Sequence, residues 1–342
     1  MLSILTRNRW CCWLGLLIGM AVLVVGCHRS SPSSDLSATS QDCRLVQHEK
    51  GTTEICGQPQ SVAALSPHIL DSILALGVQP AAYAESKNLN LKIFDQPKEQ
   101  IPYIGKWVTT QPIALGDRKS PSLECLAQLK PDLILGEDWL TGDSYALLSQ
   151  IAPTLLFTDT QADGTQAWQK DIPEIAKALD KEDKAEQLLA SFPQQIETAR
   201  SALQSVIAAY PRILLISSDL TSYTSIAPDS TTGRLLQEIG FDVVRIEGVE
   251  SEAEISFEAL PQLKADIIIV LSWDEALLFD PEDEVKAKWD KNPLLSSMPA
   301  AKADRVYFVD YQLWGSNIRG PLTDRLILEA LPDLLLSSVR GN

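Results

Sequence analysis

Three groups of residues in this chain have the types and spacing that chemistry uses. Ser66, His68 and Asp71 bring a hydroxyl, an imidazole and a carboxylate close together, the set an acyl-transfer triad needs. No Gly-x-Ser-x-Gly elbow surrounds Ser66 and no oxyanion loop is evident, so His68 reads as a loop or capping residue and a hydrolase is a rival reading only. Cys43, His48 and Cys56 offer metal-ligand types but no fourth ligand. The two cysteines alone would close a small loop, and in an oxidising compartment that bridge is worth on the order of 3 kcal/mol in the chain-entropy model. The third group is aromatic: Trp107, Trp139, Tyr223, Trp273 and Trp314, with Arg319, all fall in polar stretches. Rings offer contact area at little entropic cost, and a guanidinium offers bidentate charge to anionic oxygens. That chemistry is capture without turnover. Each tryptophan is either a cleft wall or core packing, and Arg319 either faces a ligand or pairs locally near the start of the last helix. Trp168 and Trp289 fall on helical patterns and read as structural.

What remains of the inventory is spare. Only His48 and His68 stand on the folded part, too few for the histidine-rich sites that hold bare zinc or manganese. No Gly-x-Gly-x-x-Gly or Walker pattern occurs, which leaves nucleotide chemistry without support.

The elements that must position the aromatic group alternate. Short apolar runs at 61–65, 81–84, 101–104, 133–135, 154–157, 212–216, 243–246, 267–269 and 306–309 read as strands. Helical patterns lie between them at 69–76, 145–151, 165–179, 231–239 and 322–336. Alternation at short spacing implies mostly parallel sheets covered on both faces. Ligands of open α/β sheets sit beyond the carboxyl ends of the strands. The loops at 66–68, 106–107, 137–139, 217–223, 273–274 and 314–319 follow strands in this reading and carry the aromatic candidates.

Between the two halves, apolar residues at Ala185, Leu188, Leu189, Phe192, Ile196, Ala199, Leu203 and Val206 recur in steps of three and four. They predict one helix over 181–210, roughly 40 Å long at 1.5 Å per residue, kinked at Pro193. On either side stands the same unit: Leu-Glu-Cys-Leu-Ala-Gln-Leu-Lys-Pro-Asp-Leu-Ile-Leu from Leu123, and Phe-Glu-Ala-Leu-Pro-Gln-Leu-Lys-Ala-Asp-Ile-Ile-Ile from Phe257. Each reads as a short helix entering a buried strand. The fold class that follows is α/β: two Rossmann-like lobes, 58–180 and 211–342, joined by one long helix.

The 342 residues carry 29 Lys and Arg against 45 Asp and Glu, a net charge of −16. That acidity, without any basic run, argues against a nucleic-acid partner. At the N-terminus, Arg7 and Arg9 precede an apolar run from Trp10 to Val25 that is short for a membrane span and ends at Gly26-Cys27. Residues 1–27 are similar to a bacterial lipoprotein signal, with cleavage before Cys27 and lipid on its thiol. The leucine usual three residues before the cysteine is here Val24, and an uncleaved membrane anchor is the alternative. Residues 28–41 are a Ser-rich spacer, and 43–56 a hairpin turning at Gly51; the region 28–57 thus precedes the lobes. Cys125 is left over, on the apolar face of the first repeat helix, as a buried thiol.

The repeated Leu-Glu-x-Leu-x-x-Leu-Lys-Pro-Asp-Leu-Ile pattern across a long helix resembles a periplasmic substrate-binding protein of an ABC importer. Within those it is similar to the helix-linked class that carries ferric siderophores, haem and cobalamin. The hairpin Cys43…His48-x-x-Gly51…Cys56 and the late Trp314-Gly315-x-Asn317-Ile318-Arg319-Gly320-Pro321 look most like the iron–siderophore branch. The resemblance implies a monomer without cofactor, whose ligand is a ferric siderophore with iron already chelated, haem or cobalamin being the alternative. It implies a permease dimer and its ATPase as partners, docked through Glu124 and Glu258, which the repeat places at equivalent points. Those glutamates also complement the dipole of the helix each one opens. Closure about a rigid helix is expected to be a small hinge motion.

Overall fold

The computed structural model describes residues 42–85, 91–158, 167–218, 222–246, 253–256, 258–273, 282–315 and 319–336. Cys27 with its signal, the whole 28–41 spacer, the uncleaved anchor, Asp274, Asn317 and Ile318 lie outside the described residues.

Two strands, β1 (Cys43–His48) and β2 (Gly51–Cys56), pair antiparallel, with Gly51 at φ 117 in the turn. Cys43 and Cys56 face each other in this register and are disulfide-bonded. Arg44 fastens the hairpin to the rest by donating from Nη1 to Gly57 O and from Nη2 to Ala178 O, both at 2.7 Å, and from Nε to Lys177 O. Two of those carbonyls end a helix, where a cation is favoured. His48 accepts from Leu156 N at 3.3 Å and bonds Thr53 Oγ1 at 2.9 Å, so its ring ties the hairpin to the first lobe.

The first sheet has the order β5-β4-β3-β6-β7, all parallel: β3 (Val62–Ala64), β4 (Ala82–Glu85), β5 (Ile113–Asp117), β6 (Leu133–Glu137) and β7 (Thr154–Phe157). Helices α1 (Pro67–Ala75), α2 (Leu123–Leu129), α3 (Tyr145–Ile151) and α4 (Ala167–Leu179) cover it. Ser66 caps α1 by accepting from Ile69 N, and Ser122 caps α2 by accepting from Cys125 N. Then α5 (Glu182–Ala209) runs unbroken through Pro193 to the second sheet, order β11-β9-β8-β12-β13 with β10 also on β8. Its strands are β8 (Arg212–Ser218), β9 (Tyr223–Ser225), β10 (Asp242–Val243), β11 (Glu254–Ile255), β12 (Ile267–Ser272) and β13 (Val306–Asp310). Strands β8, β10, β12 and β13 are parallel, whereas β9 runs antiparallel to β8 and β11 antiparallel to β9. Helices α6 (Thr231–Ile239), α7 (Glu282–Lys291) and α8 (Pro321–Leu336) complete this lobe.

Side-chain alternation along the strands explains how two lobes share one interior. Val62 and Ala64, with Ile267, Ile269 and Leu271, point into a core that also takes Phe192, Ile196, Leu203 and Val206 of α5. The intervening Ala63 and Leu65 serve a private core of the first lobe, and Ile268 and Val270 one of the second. The two α/β lobes joined by a long helix are as expected. One strand is not: 101–104 forms no strand, and the neighbour of β4 is β5, further along the chain. Pro102 lacks the donor a ladder needs, and Tyr103 has φ 58, a left-handed backbone that ends extended structure.

Candidate functional site

In each sheet two adjacent parallel strands send their helices to opposite faces. β3 leads into α1 on the shared-core side, while β6 leads into α3 on the private side. β8 and β12 repeat this, with α6 inside and α7 outside. Backbones splay apart at such a switch point, and the crevice beyond the strand ends is where open α/β sheets take ligands.

The first crevice collects Glu137 from the end of β6, Trp139 after it, and Arg118 after β5. Trp139 is 52% exposed and donates from Nε1 to Glu137 Oε1 at 3.1 Å. The Arg118 guanidinium lies 5.5 Å from the centre of the same ring, in cation–π range. Glu137 is only 3% exposed, and its Oε2 has no hydrogen-bond partner. Beside it Tyr83 donates to Glu85 Oε2 at 2.6 Å; burial, then the Glu85 charge, push that phenol well above its usual range, so it stays protonated. The second crevice holds Ser218, Ser272 and Trp273. Trp273 N donates to Ser218 O at 3.0 Å, and its half-buried ring lies 6.2 Å from that of Tyr311. The same number of residues separates Trp139 from Trp273 as separates Glu124 from Glu258, so the internal repeat places one tryptophan at the same point of each lobe. Glu124 and Glu258 are both exposed on their lobes.

The other aromatic candidates lie elsewhere. Trp107 was expected to follow a strand; it precedes β5 instead, its carbonyl accepting from Gln79 Nε2 at 3.1 Å and its ring 5.4 Å from the Arg325 guanidinium of α8. Tyr223, 5% exposed, packs edge-on against Trp289 at 5.6 Å in the second lobe's private core. Trp314, 4% exposed, sits in the shared core, with its carbonyl accepting from Thr232 Oγ1. Trp168 and Trp289 are core residues, and Cys125 is a half-buried free thiol rather than a fully buried one.

Arg319 belongs to a polar seam between the lobes. It is 4% exposed, donates from Nη2 to Asp324 Oδ1 at 3.1 Å and from Nη1 to Thr232 Oγ1 at 3.0 Å. Asp324, fully buried, also accepts from Trp168 Nε1 at 2.7 Å. The guanidinium is therefore spent on a buried pair five positions downstream, not laid along a cleft wall. Asp71, on α1 of the first lobe, accepts from Leu322 N at 2.9 Å, Thr323 N at 2.8 Å and Thr323 Oγ1, and so caps α8 of the second. Burial first, outweighing these donors, raises its carboxyl to about 6. His68 donates from Nδ1 to Arg319 O, and its Nε2 lies 3.6 Å from Asp171 Oδ2. Burial is the largest single influence on that imidazole and pushes it down. The nearby Asp171 carboxylate, the Glu137 charge and the Arg319 carbonyl together outweigh it, raising the group to about 9. Ser66, His68 and Asp71 thus cap one helix, bridge the seam and cap another helix. They do not converge on a reacting atom.

Arg118 and Glu137 are not among the candidate residues that the sequence singles out. The signal for Arg118 was the Ile-Ala-Leu-Gly-Asp run of β5; for Glu137 it was an acid ending an otherwise apolar buried strand.

Known proteins resemble this chain along most of its length. The Fe(3+)-citrate-binding protein YfmC of Bacillus subtilis is 26% identical, the match covering 90% of this chain and 91% of that protein. The probable siderophore-binding lipoprotein YfiY of the same organism is 26% identical, over 86% of this chain and 89% of that one. Among solved structures, Staphylococcus aureus SirA complexed with staphyloferrin B superposes with a TM-score of 0.68 at 24% identity, covering 87% of this chain and 98% of that chain. The sequence profile of the periplasmic binding protein family matches residues 62–313, which include both switch points and the helix between them, and the chain belongs to that family.

Proposed function

We propose that this chain is the substrate-binding component of an ABC importer that captures a ferric siderophore between its lobes, 58–180 and 211–342, across the 181–210 helix. The observation that carries the reading is the pair of switch-point crevices, each with a tryptophan at the same point of the repeat. Relatives named for ferric citrate and siderophores support the ligand class. An indole face on each lobe gives a bulky chelate two apolar walls, and Arg118 brings positive charge to the one beside it. No bond in the ligand is made or broken, and the iron travels already chelated. The seam residues that imitate a triad are engaged in holding helices, which supports binding over hydrolysis. Exposed Glu124 and Glu258, at equivalent points of two related lobes, suit a two-fold permease dimer bearing basic pockets, whose ATPase drives release. Lipid on Cys27 holds the protein to the membrane on the periplasmic side.

The test is tryptophan fluorescence of the protein truncated after Cys27, titrated with ferric siderophores, ferric citrate, haem and cobalamin. Saturable quenching by a ferric chelate, weakened in Trp139→Ala and Trp273→Ala, is the expected result. Quenching by haem or cobalamin alone would overturn the ligand class, and silence toward all of them would overturn the reading.

A further inference from the structure

The Glu137 charge acts on the buried His68 imidazole, but the fold leaves one of its two oxygens without a hydrogen bond. Its Oε1 holds the Trp139 indole N–H at 3.1 Å, and a glutamine or a backbone carbonyl would do that without a charge. Its Oε2 is buried and accepts nothing, which is destabilising for a carboxylate in the folded protein. Buried groups left unsatisfied in this way concentrate where function needs them. The position agrees. Glu137 ends β6 next to β3, at the switch point, directly beside the exposed Trp139 ring.

We propose that Glu137 determines specificity in this crevice: its Oε2 accepts a hydrogen bond from an N–H or O–H donor carried on the arm of the bound chelate that stacks on Trp139. The inference rests on the proposed capture of an iron chelate and narrows it. The ligand is one whose periphery offers an amide, hydroxyl or ammonium donor, and chelates presenting only acceptor oxygens at that point are disfavoured because two acceptors would meet there without a proton between them. A site built to bond a donor rejects the analogue that lacks it far more strongly than an apolar pocket rejects a methyl group. Trp139 acts as a positioning residue, fixing the carboxylate through Oε1 so that Oε2 is the oxygen left to the ligand, reached when the arm displaces the side chains that cover it. Arg118, 5.5 Å from the centre of the same ring, supplies the complementary charge for an oxygen of the same arm.

The experiment compares three probes on the soluble protein: a ferric trihydroxamate with peripheral amide N–H groups, the same chelate methylated at those nitrogens, and ferric citrate. Wild type is expected to bind the N–H chelate at least tenfold more tightly than its methylated form. Glu137→Gln keeps the shape and the acceptor for Trp139 but can turn a donor toward the arm; it is expected to lose that preference while melting as a folded protein. Glu137→Leu, which offers neither group, is expected to bind the two trihydroxamates within twofold of each other. A preference that survives in both variants overturns the proposal, as does wild type favouring ferric citrate or the methylated chelate. Wild type that binds none of the three overturns the capture reading itself, a distinct failure.

Discussion

Replacing Asp71 by alanine tests the seam most directly. Asp71 stands on α1 of the first lobe and accepts two backbone N–H groups and one hydroxyl at the start of α8 in the second, all fully buried. The Thr323 hydroxyl can rotate to another acceptor, but the Leu322 and Thr323 amides cannot. A buried amide left without a partner costs about 1–3 kcal/mol, and loss of a cap in other helices costs about 0.5–2 kcal/mol. The two views count the same bonds, so two such amides set the expected loss at about 2–6 kcal/mol, a large share of the stability an ordinary domain has. Urea unfolding followed by circular dichroism would read this as a midpoint lowered by about 1 M or more, with m of about 3 kcal/mol/M for a chain of this size. Gly320 supplies an internal control. A Cβ there would lie 2.3 Å from Asp71 Cγ, so Gly320→Ala is destabilising while the carboxylate is present. Alanine at 71 removes the two nearer atoms but keeps its own Cβ at 2.7 Å from that point, so the clash is relieved only in part, and the double variant should be more stable than the two single losses imply by about 1 kcal/mol. A loss below about 1 kcal/mol for Asp71→Ala, or strict additivity with Gly320→Ala, would refute the cap as a tie between lobes.

Three further outcomes follow from the same geometry. His68 is raised to about 9 from its ordinary 6.5, so its contribution is fully present below pH 6.5 and is lost as pH rises through 9. On the order of 3 kcal/mol should disappear between pH 6.5 and 9.5, and melting curves of His68→Gln should be flatter across that window. Arg319→Ala leaves Asp324 charged, buried and without its ion pair, a loss of about 3–5 kcal/mol in chemical denaturation; binding measured well below its melting temperature should change little. Opening the Cys43–Cys56 bridge by a double serine replacement should lower stability by about 3 kcal/mol or less, since Arg44 and His48 still fasten the hairpin. Thermal melts with and without reductant would measure it.

The large features of this fold were legible because they repeat. Apolar residues of α5 recur at three and four over about six turns, and the helix–strand unit occurs twice, so pattern alone gives two lobes and a connector. The aromatic candidates were legible as a class but not one by one. Trp139 and Trp314 both stand in polar stretches, yet one is 52% exposed and the other 4%. The difference lies in neighbours that come from other elements, which local composition does not record. Trp107 was misplaced for a local reason that could have been seen: Pro102 inside the apolar run 101–104 argues against a strand, and without that strand Trp107 follows nothing. The Asp71 cap was illegible in principle, since its partners lie some 250 positions away and each residue alone looks ordinary. Arg319 stood in between: its partner Asp324 is near in sequence, and a helix-start ion pair was already one of two readings of it.

What the seam does for the proposed role follows from where its bonds run. The lobes are joined by α5, whose buried face is part of the core they share. Against α5 packs α8, and here they are joined by Asp71 to α8 and by His68 to the Arg319 carbonyl. Tyr103 adds a third tie, donating to Asp310 at the end of β13. A motion that separates α1 from α8 must expose the cap and desolvated charges of the seam, at a cost of several kcal/mol. Motion that keeps them together can still alter the gap between the two strand-end crevices, which lie beyond these ties. The inexpensive motion is thus a small rotation about the seam, and the binding free energy of a chelate is not consumed in assembling the site. In the proposed role, ligand-free and loaded forms would present Glu124 and Glu258 at nearly the same separation, and the proposed permease would tell them apart by small differences in angle or by the stability of the closed form rather than by a large change of shape.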